Sequence, residues 1–211
     1  MDISPGTLVG IFDRVGIVAF AYSGVAVGLR RNLDVFGLVV LGVVTCLGGG
    51  AIRDLLIDRT PLVLVREDYF VLAIGSSVAS IPLISRSRVP LDGVLLLCRA
   101  VGLGAFASAG ALAAISASLP FPAVLILAIV TATGGGVLRD LLADDVPAVL
   151  RAEVNATAAL CGGVVVWLLH PLNPAWASLV AATLVACGVI TAQRFGVQLP
   201  RPQLHADDNI E

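Results

Sequence analysis

The chain has 211 residues, 58% of them hydrophobic and 13% charged, with a formal net charge of −2 and a mean hydropathy of +0.99. A composition this apolar excludes an ordinary water-soluble domain and reads as an all-α integral membrane protein. All 13 basic residues are arginines, and with a slightly acidic balance they offer no basic surface for nucleic acid.

Taken in chain order, the N-terminus MDISPGTLVG lacks the positive region and small-residue cleavage site of a signal peptide, so the first apolar segment is expected to be retained. Helix one is predicted at about 7–29 and carries Asp13, Arg14 and the segment FAYSG at 20–24. Helix two, 35–57, ends in GGGAIRD at 48–54, and helix three covers 68–85. The charge-free runs 100–138 and 154–193 are each about twice the ~20 residues that cross a bilayer. Each must therefore turn back once, at SLPFP (118–122) and HPLNP (170–174), where proline removes a helix donor. Helix four is then 92–116, with Arg99 and FASAG at 106–110. Helix five is 121–143, with GGGVLRD at 134–140, and helices six and seven are 153–169 and 175–194. Residues 1–195 form one transmembrane domain, and the polar, proline-bearing 196–211 reads as a disordered tail.

The two glycine motifs lie 86 residues apart (134 − 48), and the same offset carries Phe20 to Phe106, Gly24 to Gly110, Pro61 to Pro147 and Glu67 to Glu153. The first six helices therefore read as two copies of a three-helix unit, about 7–85 and 92–169. Three crossings make the second copy enter from the opposite side, so the copies are inverted, as in many transport folds. Helix seven has no counterpart. Arg30, Arg31, Arg86, Arg88, Arg151, Arg194 and Arg201 fall on one side, whereas Arg59 and Arg66 fall on the other beside Asp58, Glu67 and Asp68. The positive-inside rule then puts the N-terminus outside and the C-terminus in the cytoplasm of a cell (inner) membrane protein.

Two readings of the triplets Gly48, Gly49, Gly50 and Gly134, Gly135, Gly136 stay open at this point. Three glycines make a kink or an unwound turn cheap, and freed backbone polar groups in a membrane belong in protein or along a water-filled path. Small residues also permit close helix contact, as the Gly24-x-x-x-Gly28 pair does in helix one. Each triplet is followed by an ionisable pair, Arg53/Asp54 and Arg139/Asp140, which in hydrocarbon must be paired or hydrated. The expectation is two ionic clusters near the mouths of a polar path, Asp13/Arg14/Arg53/Asp54 outside and Arg99/Arg139/Asp140 inside. The competing reading is a structural salt bridge. Positions 13 and 99 share the offset, so one charge has changed sign in place. Between the clusters Tyr22, Ser23 and Ser108 fall in mid-membrane, where the serines either line the path or bond back to the preceding turn, and Tyr22 needs a polar partner.

Cys46, Cys98, Cys161 and Cys187 all sit in apolar stretches and read as small buried hydrophobes, and with His170 and His205 remote from one another no metal site is expected. No nucleophile–base arrangement or phosphate-binding loop is visible, so an enzyme is not expected.

GGG-x-x-RD at the second helix of each unit, the following Pro61 and Pro147, the Phe-Ala-x-[Ser/Ala]-Gly segments and the unmatched seventh helix resemble the prokaryotic trimeric intracellular cation (TRIC) channel family over nearly the whole chain up to about residue 195. The resemblance implies a homotrimer with one pore per protomer, inside helices one, two, four and five, the second and fifth kinked at their triplets. It further implies passive conduction of monovalent cations, chiefly potassium, and phospholipid bound near the kinked helices. The same kind of domain has also been labelled a glycine transporter, and inverted repeats suit a small-solute carrier equally well. A lipid-binding membrane protein without flux is a third class, suited to the arginines.

Overall fold

Long apolar runs interrupted only at Pro- and polar-rich points leave the backbone one way to satisfy its hydrogen bonds in lipid, which is helix within each run. The structure, a computed structural model, describes residues 5–86, 91–151 and 154–197. Along them lie α1 (Pro5–Arg30), α2 (Val35–Leu56), α3 (Leu62–Val65), α4 (Glu67–Ser85), α5 (Leu91–Ser116), α6 (Phe121–Leu142), a 3₁₀ turn (Ala148–Leu150), α7 (Asn155–Leu169) and α8 (Pro174–Arg194). Among the described residues there is no strand. The predicted helices one to seven correspond to α1, α2, α4, α5, α6, α7 and α8. The one-turn α3 and the 3₁₀ turn, each opened by a proline, were not expected. Among the described residues six helices are long and apolar enough to cross a membrane. The seventh, α7, has 15 residues and at ~1.5 Å per residue spans about 22 Å, against a hydrocarbon core of about 30 Å.

The helix ends follow from local chemistry. The Asp34 carboxylate accepts the Gly37 N–H at 2.7 Å and caps α2. Asn173 Oδ1 accepts the Ala175 and Trp176 N–H groups at 3.0 and 3.1 Å, with Pro174 in the first turn of α8. Four helices stop on a left-handed residue, Asn32, Asp58, Ser118 and Asp144, with φ between 53° and 56°. After each, the next N–H returns to a carbonyl five residues back: Leu33 to Gly28, Arg59 to Asp54, Leu119 to Ala114 and Asp145 to Asp140. These stops form two pairs, 32 with 118 and 58 with 144, again 86 apart.

At the centre α1 packs along α5, and α2 crosses α6; α4 flanks α1, while α7 and α8 flank α5. Every residue of α5 from Gly102 to Ala114 is buried, a stretch made largely of Gly, Ala and Ser, which lets neighbouring backbones approach closely. Gly24 and Gly28 both face α2: a Cβ would stand 2.6 Å from Thr45 Oγ1 and 2.8 Å from a Leu38 methyl, respectively. The outer surface is apolar, with Phe36, Leu64, Val71, Leu83 and Leu172 all more than half exposed, as a lipid-facing surface requires. The Phe20 and Phe106 rings meet edge-on at the middle of the α1–α5 contact.

Neither α2 nor α6 is unwound at its glycine triplet; both run as continuous α-helix through it. The physical reason lies in the α2–α6 crossing, described next. The polar tail from 198 onward, Arg88, Arg201, His205 and the Glu153 partner of Glu67 lie outside the described residues.

Candidate functional site

The middle glycines fix how α2 and α6 meet. A Cβ at Gly49 would collide with the Thr131 carbonyl oxygen, and one at Gly135 with the Thr45 carbonyl oxygen. Each helix therefore lays a bare backbone against the other helix's carbonyl, and unbroken helices pack backbone to backbone. Thr45 and Thr131 Oγ1 bond back to the Leu41 and Leu127 carbonyls at 2.5 and 2.6 Å. The outer members of the triplets differ: a Cβ at Gly48 would stand 2.6 Å from a Leu138 methyl, whereas at Gly50 and Gly136 the nearest group is the arginine of the same helix, at 3.9 Å.

On either side of the crossing lies a small pocket. The first, of about 20 Å³, is lined by Asp13, Arg53, Asp54, Tyr69, Gly50 and Phe106, among others. The second, of about 40 Å³, is lined by Arg99, Arg139, Asp140, Asn155, Gly136 and Phe20, among others. Every lining position of one has its counterpart in the other at an offset of 86, including Leu62 and Val63 of α3 against Ala148 and Val149 of the 3₁₀ turn. These volumes hold about one and about two or three waters.

In the first pocket Arg53, 1% exposed, donates from its two terminal nitrogens to both Asp13 oxygens at 2.8 and 3.0 Å and from Nε to Asp54 Oδ1 at 2.9 Å. The other Asp54 oxygen accepts the Leu62 N–H at 2.9 Å, so the pair also holds α3 over the pocket. In the second pocket Arg139 donates to Asp140 Oδ1 from Nε and Nη2 at 2.8 and 2.6 Å, and Asp140 Oδ2 accepts the Ala148 N–H at 2.9 Å. Where Arg53 finds Asp13, the position related by the offset is Arg99, and Arg139 Nη1 turns instead to Ser23 Oγ on α1, at 2.8 Å. A buried bidentate Arg–carboxylate pair satisfies both ions geometrically; a hydroxyl satisfies only one donor.

The structure thus brings Asp13, Arg53 and Asp54 together, and Arg99, Arg139 and Asp140 around one pocket. Arg14 is a correction to the expected first cluster. One residue on from Asp13 is about 100° around the helix, so Arg14 faces outward, where it pairs with Asp68, donates to the Gly10 carbonyl at 2.9 Å and lies 5.0 Å from the centre of the Tyr69 ring. Ser23 and Ser108 are also not back-bonded as one reading had it: Ser23 receives Arg139, and Ser108 donates to the Ser178 carbonyl of α8 at 3.1 Å. Tyr22 packs with Val25, Ala26, Ile84 and Leu95 and borders an apolar groove of about 860 Å³ along α1, α4 and α5, away from both pockets. Cys46 is buried in the first pocket, whereas Cys161 and Cys187 are exposed, so the expectation of four buried thiols holds only in part.

Outside the helices, Arg31 and Asp145 join the α1–α2 loop to the loop after α6 at 2.6 Å, and the Arg31 guanidinium holds the Asp145 carboxyl below its ordinary value. Sequence reasoning missed Phe20 and Phe106 as site residues, although their offset had been noted. It also missed Leu62 and Ala148, whose contribution is a backbone N–H that no side-chain pattern announces. Among the described residues no three His, Cys, Asp or Glu side chains gather as a metal site.

A family model described as glycine transporter matches residues 10–84 and again 96–171, two stretches whose starts are 86 apart. The chain is 38% identical over 192 residues to a UPF0126 membrane protein of Deinococcus radiodurans, covering 89% of each. It is likewise 38% identical over 208 residues to the UPF0126 membrane protein YvgT of Bacillus subtilis, covering 94% of this chain and 98% of that one, and over 159 residues to the UPF0126 inner membrane protein YadS of Escherichia coli, covering 75% and 77%. Among solved structures, a TRIC cation channel studied for its conductance superposes with a TM-score of 0.83 at 37% identity, covering 93% of this chain and 98% of that one. The TRIC trimeric intracellular cation channel orthologue of Rhodobacter sphaeroides superposes with 0.83 at 31%, covering 90% and 100%.

Proposed function

This chain belongs to the TRIC (UPF0126) family of membrane proteins, and on that premise we propose that it is a passive channel for monovalent cations, chiefly potassium. The observation that carries the reading is the pair of matched pockets, one at each end of the α2–α6 crossing, each with buried charge in an otherwise apolar bundle. Intramembrane ionisable groups that are paired and face small hydrated cavities mark ion paths. The solved relatives are ion channels, which also argues against an enzyme.

In this proposal the chain crosses the membrane seven times, as two inverted three-helix units and α8. The contacts that recur at an offset of 86 support that arrangement: Gly49 on Thr131 with Gly135 on Thr45, and Asp54 on Leu62 with Asp140 on Ala148. The path lies within α1, α2, α5 and α6 of each protomer of a homotrimer, with α2 and α6 kinked at their triplets. The N-terminus is outside and the C-terminus cytoplasmic in the cell membrane, with phospholipid filling apolar surface near the crossing. Cations pass beside arginines because Asp13, Asp54 and Asp140 neutralise them, leaving water, hydroxyls and carbonyls to replace hydration.

Purified protein in planar bilayers under a potassium gradient tests this: unitary currents that reverse near the potassium potential are expected. The description of the matching family model favours one other reading, a carrier of glycine or a similar small solute. Saturable glycine uptake into vesicles without unitary currents would establish the carrier instead.

A further inference from the structure

The two pockets share no lining residue. Phe20 lines one, Phe106 lines the other, and their rings touch edge to face, with centroids 5.1 Å apart and planes at 81°. Both rings are buried, and the side chains beside them in the two linings, Ile17 and Leu103, are also apolar. The partner helices have been cleared for the rings: a Cβ at Gly16 would stand 2.6 Å from the Phe106 ring, and one at Gly102 would collide with the Phe20 ring. The alternative route between the pockets, past the middle of α2 and α6, is closed by backbone, since Gly49 and Gly135 lie directly on the Thr131 and Thr45 carbonyls.

We infer that the Phe20–Phe106 pair is the barrier to permeation, an apolar septum that closes the path by excluding water and opens when the rings swing aside. The inference rests on the reading of the two pockets as ends of one path. An ion between the rings meets two aromatic side chains flanked by Ile17 and Leu103, which do not replace its hydration, and an apolar constriction of this kind blocks ions without occluding the route by backbone. Side-chain rotation moves each ring without unfolding a helix, whereas the Gly49–Gly135 contact opens only if α2 and α6 separate.

The test uses silver ion, a thiol-binding monovalent cation, on protein reconstituted in vesicles with Cys98, Cys161 and Cys187 replaced by serine. Cys46, in the first pocket, is the target, and reaction is read as protection from a maleimide after unfolding. With silver on the second-pocket side, Phe20→Ala and Phe106→Ala should speed modification of Cys46 about tenfold or more, and the same substitutions should raise unitary open probability in bilayers. If the alanine variants do not assemble, Phe20→Leu and Phe106→Leu keep most of the volume and should still speed modification at least about twofold. Unchanged rates in assembled variants would overturn the septum. Absent currents in the parent protein together with accelerated modification would overturn the channel reading and leave the septum standing.

Discussion

At the scale of single residues, the account turns on two arginines in unlike company. Arg53 is held by Asp13 and Asp54, whereas the partners of Arg139 include Asp140 and the Ser23 hydroxyl. Asp13→Ala removes the acceptor of both terminal nitrogens of buried Arg53 and leaves Asp54 to hold Nε, so it should destabilise the solubilised protein by up to about 3–5 kcal/mol. Ser23→Ala, which removes one hydrogen bond to a charged group, should cost about 1.5–3 kcal/mol. Thermal unfolding in detergent checks the order, and equal losses would mean that the two sites are not energetically distinct. The surface pair Arg31–Asp145 bears on pH. Because the folded carboxyl lies below its ordinary value, its contribution is present at neutral pH and is lost as pH falls through that lowered value. Asp145→Asn should flatten the acid limb of a stability profile slightly, since the pair is exposed and screened. The charges of both clusters were legible in the sequence, because an Arg–Asp pair in an apolar run is itself anomalous. Their partners were not: nothing in the pattern tells Arg139 to choose Ser23, since that choice depends on α1 lying beside α6.

At the scale of elements, the glycine triplets resolve into members with different duties. Gly49→Ala and Gly135→Ala set a methyl against a carbonyl of the crossing helix and should cost at least about 1–3 kcal/mol through overpacking. Gly50→Ala and Gly136→Ala meet nothing closer than 3.9 Å and should be neutral or gain up to about 1 kcal/mol from helix propensity. Melting temperatures of the four variants decide it, and equal effects would show that the triplets act through flexibility alone. At the ends, Ser118 holds a left-handed conformation that serine resists, so Ser118→Gly should raise stability by up to about 1 kcal/mol. Helix positions were readable because charged residues and prolines punctuate the apolar runs. What could not be read was which helices lie inside. In a membrane protein lipid-facing and buried positions are equally apolar, and α1 and α5 differ from the rest mainly in their density of small residues. The triplets promised a break and gave a close crossing, because bare backbone serves either purpose and only the opposing helix decides between them.

At the scale of the whole molecule, the bundle is organised as two small pockets, each charged, each roofed by a short turn held to an aspartate, and separated by one aromatic pair. An object built that way needs little movement to join its halves, which suits a passive path more economically than the large rocking of a carrier. The apolar exterior suits lipid and a partner protomer alike, so cross-linking in native membranes should give a trimer band, and a monomer alone would contradict the assembly proposed. The central claim, that cations pass passively through each protomer, is met most directly by single-channel recording of the purified protein in a planar bilayer with potassium chloride graded across it. The account predicts discrete openings whose reversal potential follows potassium. Silent bilayers from assembled protein that nonetheless accumulates a solute saturably in vesicles would contradict it.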